Sequence, residues 1–267
     1  MSGEPRGVLR PDEIGRAFSL ALSRPPADLA DAIERHWIVR WDLCGRDPHR
    51  TEVLTHPSVH LVFEPHGAFV YGVRRTLDVR TLSGKGYAIG TKFVPGGFAA
   101  FTERPIDELT DRVLELGEAF GGDGARLARA ATELEDPRAA LEPMYDLLRE
   151  HRRPVVPEAQ LVAAAVAGMR EAPPGTLVSD IAADRSVSVR TLQRLFARYV
   201  GVSPKWVLQR YRLHEALEQL AGQARPEWSR LALDLGYFDH AHFIRDFRAV
   251  AGRSPTEYER ELTATAA

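Results

Sequence analysis

In the stretch VSDIAADRSVSVRTLQRLFARYVGVSP, residues 178–204, two short helical patterns meet at a tight turn. Ser188 offers the hydroxyl of a helix N-cap, able to accept from the free amides of the turn it opens. The helix behind it sets Leu192, Leu195, Phe196 and Tyr199 at i, i+3, i+4 and i+7, which defines a core face. Arg190, Gln193, Arg194 and Arg198 project from the remaining surface. Arginine pairs with guanine and glutamine with adenine through two hydrogen bonds each. The spacing therefore predicts a helix that reads base edges in the major groove of DNA.

Charge supports the same reading only when counted locally. The net charge is −2, which on its own argues against a polyanion partner. Between Arg185 and His214, however, seven basic residues (Arg185, Arg190, Arg194, Arg198, Lys205, Arg210 and Arg212) stand without one acidic residue. A window this one-sided repels itself unless it is solvated or faces a polyanion.

About fifty residues further on the layout repeats in WSRLALDLGYFDHAHFIRDFRAVAGRSPTEYE, residues 228–259. Leu231, Ala232 and Leu235 form the apolar side of a first helix. Gly236 permits a turn, and Asp239 caps a second helix whose Phe243, Phe247 and Val250 pack inward. His240, Ala241, Ile244 and Arg245 are left facing out. Between the two units Ser203 and Pro204 open a further helix as N-cap and first residue, with Val207, Leu208, Tyr211, Ala216 and Leu220 along its apolar stripe. One long helix would hold two readers at fixed spacing, and readers in successive major-groove segments stand about 34 Å apart.

The stretch from about Leu161 to Leu262 resembles the AraC-type DNA-binding domain. The second unit carries the resemblance most specifically, through Leu235-Gly236-Tyr237, Asp239, His242-Phe243, Arg245, Phe247, Gly252 and Ser254-Pro255. The resemblance implies that Arg190, Gln193 and Arg194 read bases in the first unit and His240, Ala241, Ile244 and Arg245 in the second. It further implies a homodimer that works at a promoter with RNA polymerase, activating more often than repressing. Two departures stand out: Ser186 takes a turn position where the family usually has Gly, and Ala241 and Ile244 are small or apolar where polar readers are common. The second departure predicts thymine-methyl contacts and backbone anchoring by unit two, with discrimination resting on unit one.

Ahead of the helical region the periodicity is that of strands. From His36 to about Phe101, β-branched and aromatic residues cluster in short runs separated by turn residues. VHLVFE (59–64), Pro65-His66-Gly67 and AFVYGV (68–73) read as a hairpin, and Ser83-Gly84-Lys85-Gly86 as another turn. Antiparallel strands at this spacing close into a small barrel or sandwich with an interior able to hold a ligand. After Pro105 the pattern becomes helical, with Leu109, Val113, Leu114, Leu116 and Phe120 on one stripe ended by Gly121-Gly122, then stretches at 124–134 and 137–151. Pro154 and Pro157 mark 151–157 as a linker. The segment 87–121 looks like the end of the barrel domain that precedes many AraC-type DNA-binding domains, which implies a cupin-like β-barrel followed by helices.

The expected architecture is α+β. A cupin-like sensing and dimerisation domain spans 1–153 with a helical segment at 107–151. An all-α domain spans 154–267 with helix-turn-helix units at about 178–200 and 228–251. The expected partners are double-stranded DNA and a small-molecule effector. The first residues lack the layout of a secretory signal and no apolar run is long enough to cross a bilayer, which predicts a cytoplasmic protein. A single cysteine excludes an internal disulfide and a multi-cysteine metal site.

The competing expectation is a barrel-type metal or thiol enzyme, such as an alkyl-transfer repair protein, with a DNA-targeting module. His36, His49, His56, His60 and His66 are dense enough to raise it, but no histidine-x-histidine pair occurs among them. Cys44 has Arg46 nearby, a weak sign of a reactive thiolate. No catalytic residue, metal site or cofactor is expected. Trp37, Trp41, Phe63, Tyr71 and Phe93 are candidates to line a pocket, with the core as the commoner fate of such residues.

Overall fold

A computed structural model of the chain describes residue 9 and residues 13–134, 136–222, 227–237 and 239–265. The opening residues and the side chain of Leu220 lie outside this set. Strands β1 (Ser19–Ser23), β2 (Ile33–Leu43), β3 (His49–Val53), β4 (His60–Glu64), β5 (Gly67–Tyr71), β6 (Asp78–Leu82), β7 (Gly84–Phe93) and β8 (Val113–Glu115) precede the helices. Six of them form an antiparallel sheet in the order β1-β2-β7-β4-β5-β8, and β3 pairs with β6 as a separate ribbon. Ribbon and sheet supply opposite walls of a cavity, so the N-terminal domain encloses space between two sheets. The predicted hairpin is present: β4 and β5 pair with Glu64 opposite Gly67 across a two-residue turn.

Alternation along β2 shows how one strand serves two environments. His36 and Ile38 are buried against helices, whereas Arg35, Trp37, Val39 and Trp41 line the cavity. The helical face is closed by α1 (Leu116–Thr132) and α2 (Leu141–Glu150). Phe93, Phe98, Phe101, Phe120 and Met144 meet there in one core. Phe63 and Phe93 belong to this core, while Trp37, Trp41 and Tyr71 face the cavity.

The segment after Pro105 departs from the helical expectation over 107–115. Residues Ile106–Leu109 form a 3-10 turn, and β8 pairs antiparallel with β5, Leu114 opposite Val70. The open edge of β5 decides this, because pairing satisfies backbone groups there and buries Leu114. Helix α1 then begins at Leu116 and breaks at Phe120 and Gly121, where φ is 63°, before continuing to Thr132. The glycine pair interrupts the helix and does not end it.

The C-terminal domain comprises α3 (Pro157–Arg170), α4 (Val178–Asp184), α5 (Val189–Tyr199), α6 (Pro204–Gly222), α7 (Trp228–Asp234), α8 (His240–Ala251) and α9 (Pro255–Thr265). Residues between α2 and α3 are non-helical, as the two prolines require. The two apolar cores of this domain are not self-contained. Val73 packs into the core around Leu192, Leu195 and Phe196, and Leu9 and Leu54 pack into the core around Phe243 and Phe247.

Candidate nucleic-acid interface

The two helix-turn-helix units are built by the same hydrogen bonds. In the first turn Ser186 N donates to Ala183 O at 2.9 Å and Val187 N to Ala182 O at 3.0 Å. In the second, Gly236 N donates to Leu233 O at 2.9 Å and Tyr237 N to Ala232 O at 2.9 Å. Both turns need a left-handed residue. Gly236 supplies it with φ 73°, and Ser186 adopts it with φ 55° despite its side chain. The departure at Ser186 therefore leaves the turn geometry intact.

Each second helix is capped by the residue read from the sequence. Ser188 Oγ accepts from Thr191 N at 3.0 Å, and Asp239 Oδ1 accepts from His242 N at 2.6 Å. From the caps onward the repeat has a constant offset. Leu192 corresponds to Phe243, Phe196 to Phe247, Gly201 to Gly252 and Pro204 to Pro255, all 51 residues apart. Leu192, Phe196, Phe243 and Phe247 are all fully buried, whereas Val250 is only half-buried.

The same offset aligns the outward positions. Arg190 matches Ala241, Gln193 matches Ile244, and Arg194 matches Arg245. Arg190, Gln193, Arg194, Arg198, Ala241 and Arg245 are exposed, while His240 and Ile244 are half-buried. At the three matched positions hydrogen-bonding capacity is therefore concentrated on α5, where α8 offers Arg245 beside the apolar Ala241 and Ile244.

Three of the seven basic residues in the 185–214 window are engaged by the protein itself. Arg210 is buried, lies 4.3 Å from the Trp206 ring centre, and donates to Arg75 O at 2.7 Å and Thr55 O at 3.3 Å. Burial pushes its guanidinium down to about 9, still charged at neutral pH. Arg212 donates to Thr176 O at 2.9 Å, inside its own domain. Arg198 donates to Glu103 O at 3.3 Å, and with Arg194 it walls a cleft that also contains Asp107 and Glu108. The basic window is thus only partly a face for a polyanion. The signal for Arg210 was present in its spacing, four residues after Trp206 on the buried side of α6.

Further contacts fix the reader domain to the β domain. Thr110 Oγ1 donates to Gly201 O at 2.6 Å beside the end of α5. His214 on α6 stacks on His56, with ring centres 4.0 Å apart and 4° between planes. Arg253 pairs with the buried Glu52, and Tyr258 Oη donates to Leu9 O at 2.5 Å. No local sequence pattern announces these pairs, because each joins residues more than 90 positions apart.

The other candidate groups of the β domain take structural places. His36 bridges Thr91 Oγ1 at 2.9 Å and Tyr145 Oη at 2.8 Å, and burial lowers its pKa to about 4. His60 accepts from Trp37 Nε1 at 3.1 Å, His49 faces Glu13 at 3.1 Å, and His66 is exposed on the β4–β5 turn. Among the described residues no cluster of three metal-ligating side chains occurs. Cys44 is exposed, and its hydrogen bond to Asp42 pushes the thiol up; Arg46 instead reaches Arg16 O. That is the reverse of the activation a nucleophilic thiolate needs.

Residues 181–261 match the helix-turn-helix domain family, and residues 23–115 match a domain of unknown function (DUF6597). Residues 181–261 therefore form a helix-turn-helix domain, built here as two capped helix pairs of one layout. The particular arrangement here sets that domain behind an N-terminal antiparallel β domain. Among solved structures, the chain is similar to a transcriptional regulator with an AraC-type DNA-binding domain from Chromobacterium violaceum, at 29% identity over 39% of this chain and 92% of that one, TM-score 0.35. It is also similar to ToxT from Vibrio cholerae, at 9% identity over 93% of this chain and 99% of that one, TM-score 0.40. No curated protein matches the chain. Among the described residues no helix is long and apolar enough to cross a membrane.

Proposed function

We propose that this protein is a sequence-specific, ligand-responsive transcription regulator of the cytoplasm whose helices α5 and α8 enter successive major-groove segments. The observation that carries the reading is the exposed, capped pair of helices repeated at a constant offset, with side chains of matching position on each. Arg190, Gln193, Arg194 and Arg198 read or anchor in the first segment. His240, Ala241, Ile244 and Arg245 do so in the second, where the apolar pair favours thymine methyl groups over hydrogen-bonded readout. The division at about residue 153 separates a sensing and dimerising part from the reading part. The promoter-bound homodimer activates transcription with RNA polymerase, the outcome that the AraC-type resemblance favours.

Selection of the full-length protein against random duplex DNA tests this directly. Enrichment of one motif is the expected result, and no enrichment refutes the reading. Arg194→Ala should weaken binding to that motif by about 1–3 kcal/mol and relax specificity at one position. Equal loss on the motif and on unrelated duplex would remove Arg194 from base readout.

A further inference from the structure

The cavity between the two sheets encloses about 680 Å³, a volume suited to a small organic ligand. Its floor is aromatic by construction. Trp37 and Trp41 of β2 lie opposite Gly90 and Gly86 of β7. A Cβ added at either glycine would fall into the facing indole, so the missing side chains let both rings lie flat across the sheet. Leu20 and Val39 extend this apolar surface.

One end of the same face is cationic. Arg35, Lys92 and His60 stand side by side on β2, β7 and β4. Lys92 is 4% exposed and held by Glu34 at 2.8 Å, and Arg35 approaches the same carboxylate at 3.8 Å. Two cations thus share one carboxylate. Burial pushes Lys92 down to about 8, and both cations help to keep His56 and His60 uncharged. The local field disfavours a further positive charge and favours a negative one.

The lining of the cavity also carries polar atoms that the protein leaves without a partner. Ser58 Oγ, Thr51 Oγ1 and His56 Nε2 are buried, line the cavity and find no hydrogen-bond partner. Buried polar groups left in this state destabilise the fold, a cost that a bound polar group removes. Two hydroxyls, an imidazole and an ammonium are together satisfied by a group with several lone pairs and negative charge.

We propose that the cavity takes an organic carboxylate with a flat apolar body. The body lies on the Trp37 and Trp41 rings, and the acid group meets Lys92, Arg35 and the unpartnered Ser58 and His56 atoms. The proposal rests on the ligand-responsive part of the function proposed above. Its position gives it a direct route to the readers, because His56 stacks on His214 of the helix that joins them.

A matched pair of probes tests it on the full-length protein, without DNA. Naphthoate and its neutral isostere naphthamide are titrated against tryptophan fluorescence and by calorimetry. Naphthoate should quench the indoles and bind at least about tenfold more tightly than naphthamide, the factor expected of one charge-assisted hydrogen bond. Equal affinity, or binding of neither, overturns the proposal. Lys92→Met should abolish the preference while leaving naphthamide binding unchanged, and a retained preference refutes the assigned end of the cavity. Should Lys92→Met fail to fold, Ser58→Ala serves, with weaker naphthoate binding expected and an unchanged preference refuting it. DNA selection without any probe reports on the reader helices alone, so failure of either claim is seen separately.

Discussion

His36 illustrates how a residue's chemistry is fixed by what surrounds it. Its ring joins the large sheet to α2 through Thr91 and Tyr145, with no exposed surface. A charged imidazolium has no place there, so its pKa falls to about 4, and burial lowers His56 and His60 as well. The unfolded chain takes up these protons near pH 6.5, whereas the folded chain refuses them. Stability is therefore complete above about 6.5 and lost progressively as pH falls toward 4. Each such imidazole removes about 1.4 kcal/mol per pH unit in that window. Urea denaturation at pH about 7 and about 5 should show a loss of about 2 kcal/mol from His36 alone. His36→Gln should shrink the loss by that amount, and an unchanged pH slope would show that His36 does not couple. The histidines were visible in the sequence, but their roles were not: strand alternation assigns His36 to a face and says nothing of Tyr145, 109 residues away.

The reader units show how far an element is written locally. Caps, apolar stripe and turn were all legible, because each depends on residues within four positions of one another. The two turns also differ in a measurable way. Ser186 bears the left-handed backbone at a cost that glycine avoids, so Ser186→Gly should raise stability by up to about 1 kcal/mol. Gly236 has a second reason to be glycine: a Cβ there would collide with the backbone of Pro174 and Gly175, ahead of α4. Gly236→Ala should therefore lower stability by more than about 2 kcal/mol, the left-handed cost plus displacement of the neighbouring turn. Thermal unfolding of the two variants checks both signs. The misread element, β8, lies at the opposite extreme. Its residues carry a helical stripe, and only the unpaired edge of β5 draws them into a strand.

At the scale of the whole molecule, the first reader sits against the β domain that precedes it. Arg198 reaches Glu103 O, Arg194 and Arg198 share a cleft with Asp107 and Glu108, and Gly201 rests on Ile106 and Thr110. The Asp107 and Glu108 carboxylates therefore border α5, beside any phosphate that approaches it from this side. Replacing Asp107 and Glu108 with Asn and Gln should tighten binding to non-specific duplex by about three- to tenfold at low salt. The gain should vanish once salt screens charges beyond a few ångströms. No change at low salt would mean that DNA reaches α5 from another side. Arg210, stacked on Trp206 and donating to two carbonyls of the β domain, and the His56–His214 stack fix the geometry that such binding must accommodate.

Local patterns in the chain were enough for the two helix-turn-helix units, their caps, the β4–β5 hairpin and the order of a strand-rich domain before a helical one. These follow from periodicity and short-range backbone chemistry, which act between near neighbours in the chain. Long-range packing settled which arginines the protein itself engages, that Trp37 and Trp41 floor a cavity while Phe63 and Phe93 fill a core, and that β5 recruits β8. Each of those outcomes depends on burial and partners supplied by distant segments, and the cost of leaving a charge or a backbone group unsatisfied is settled only when those segments meet.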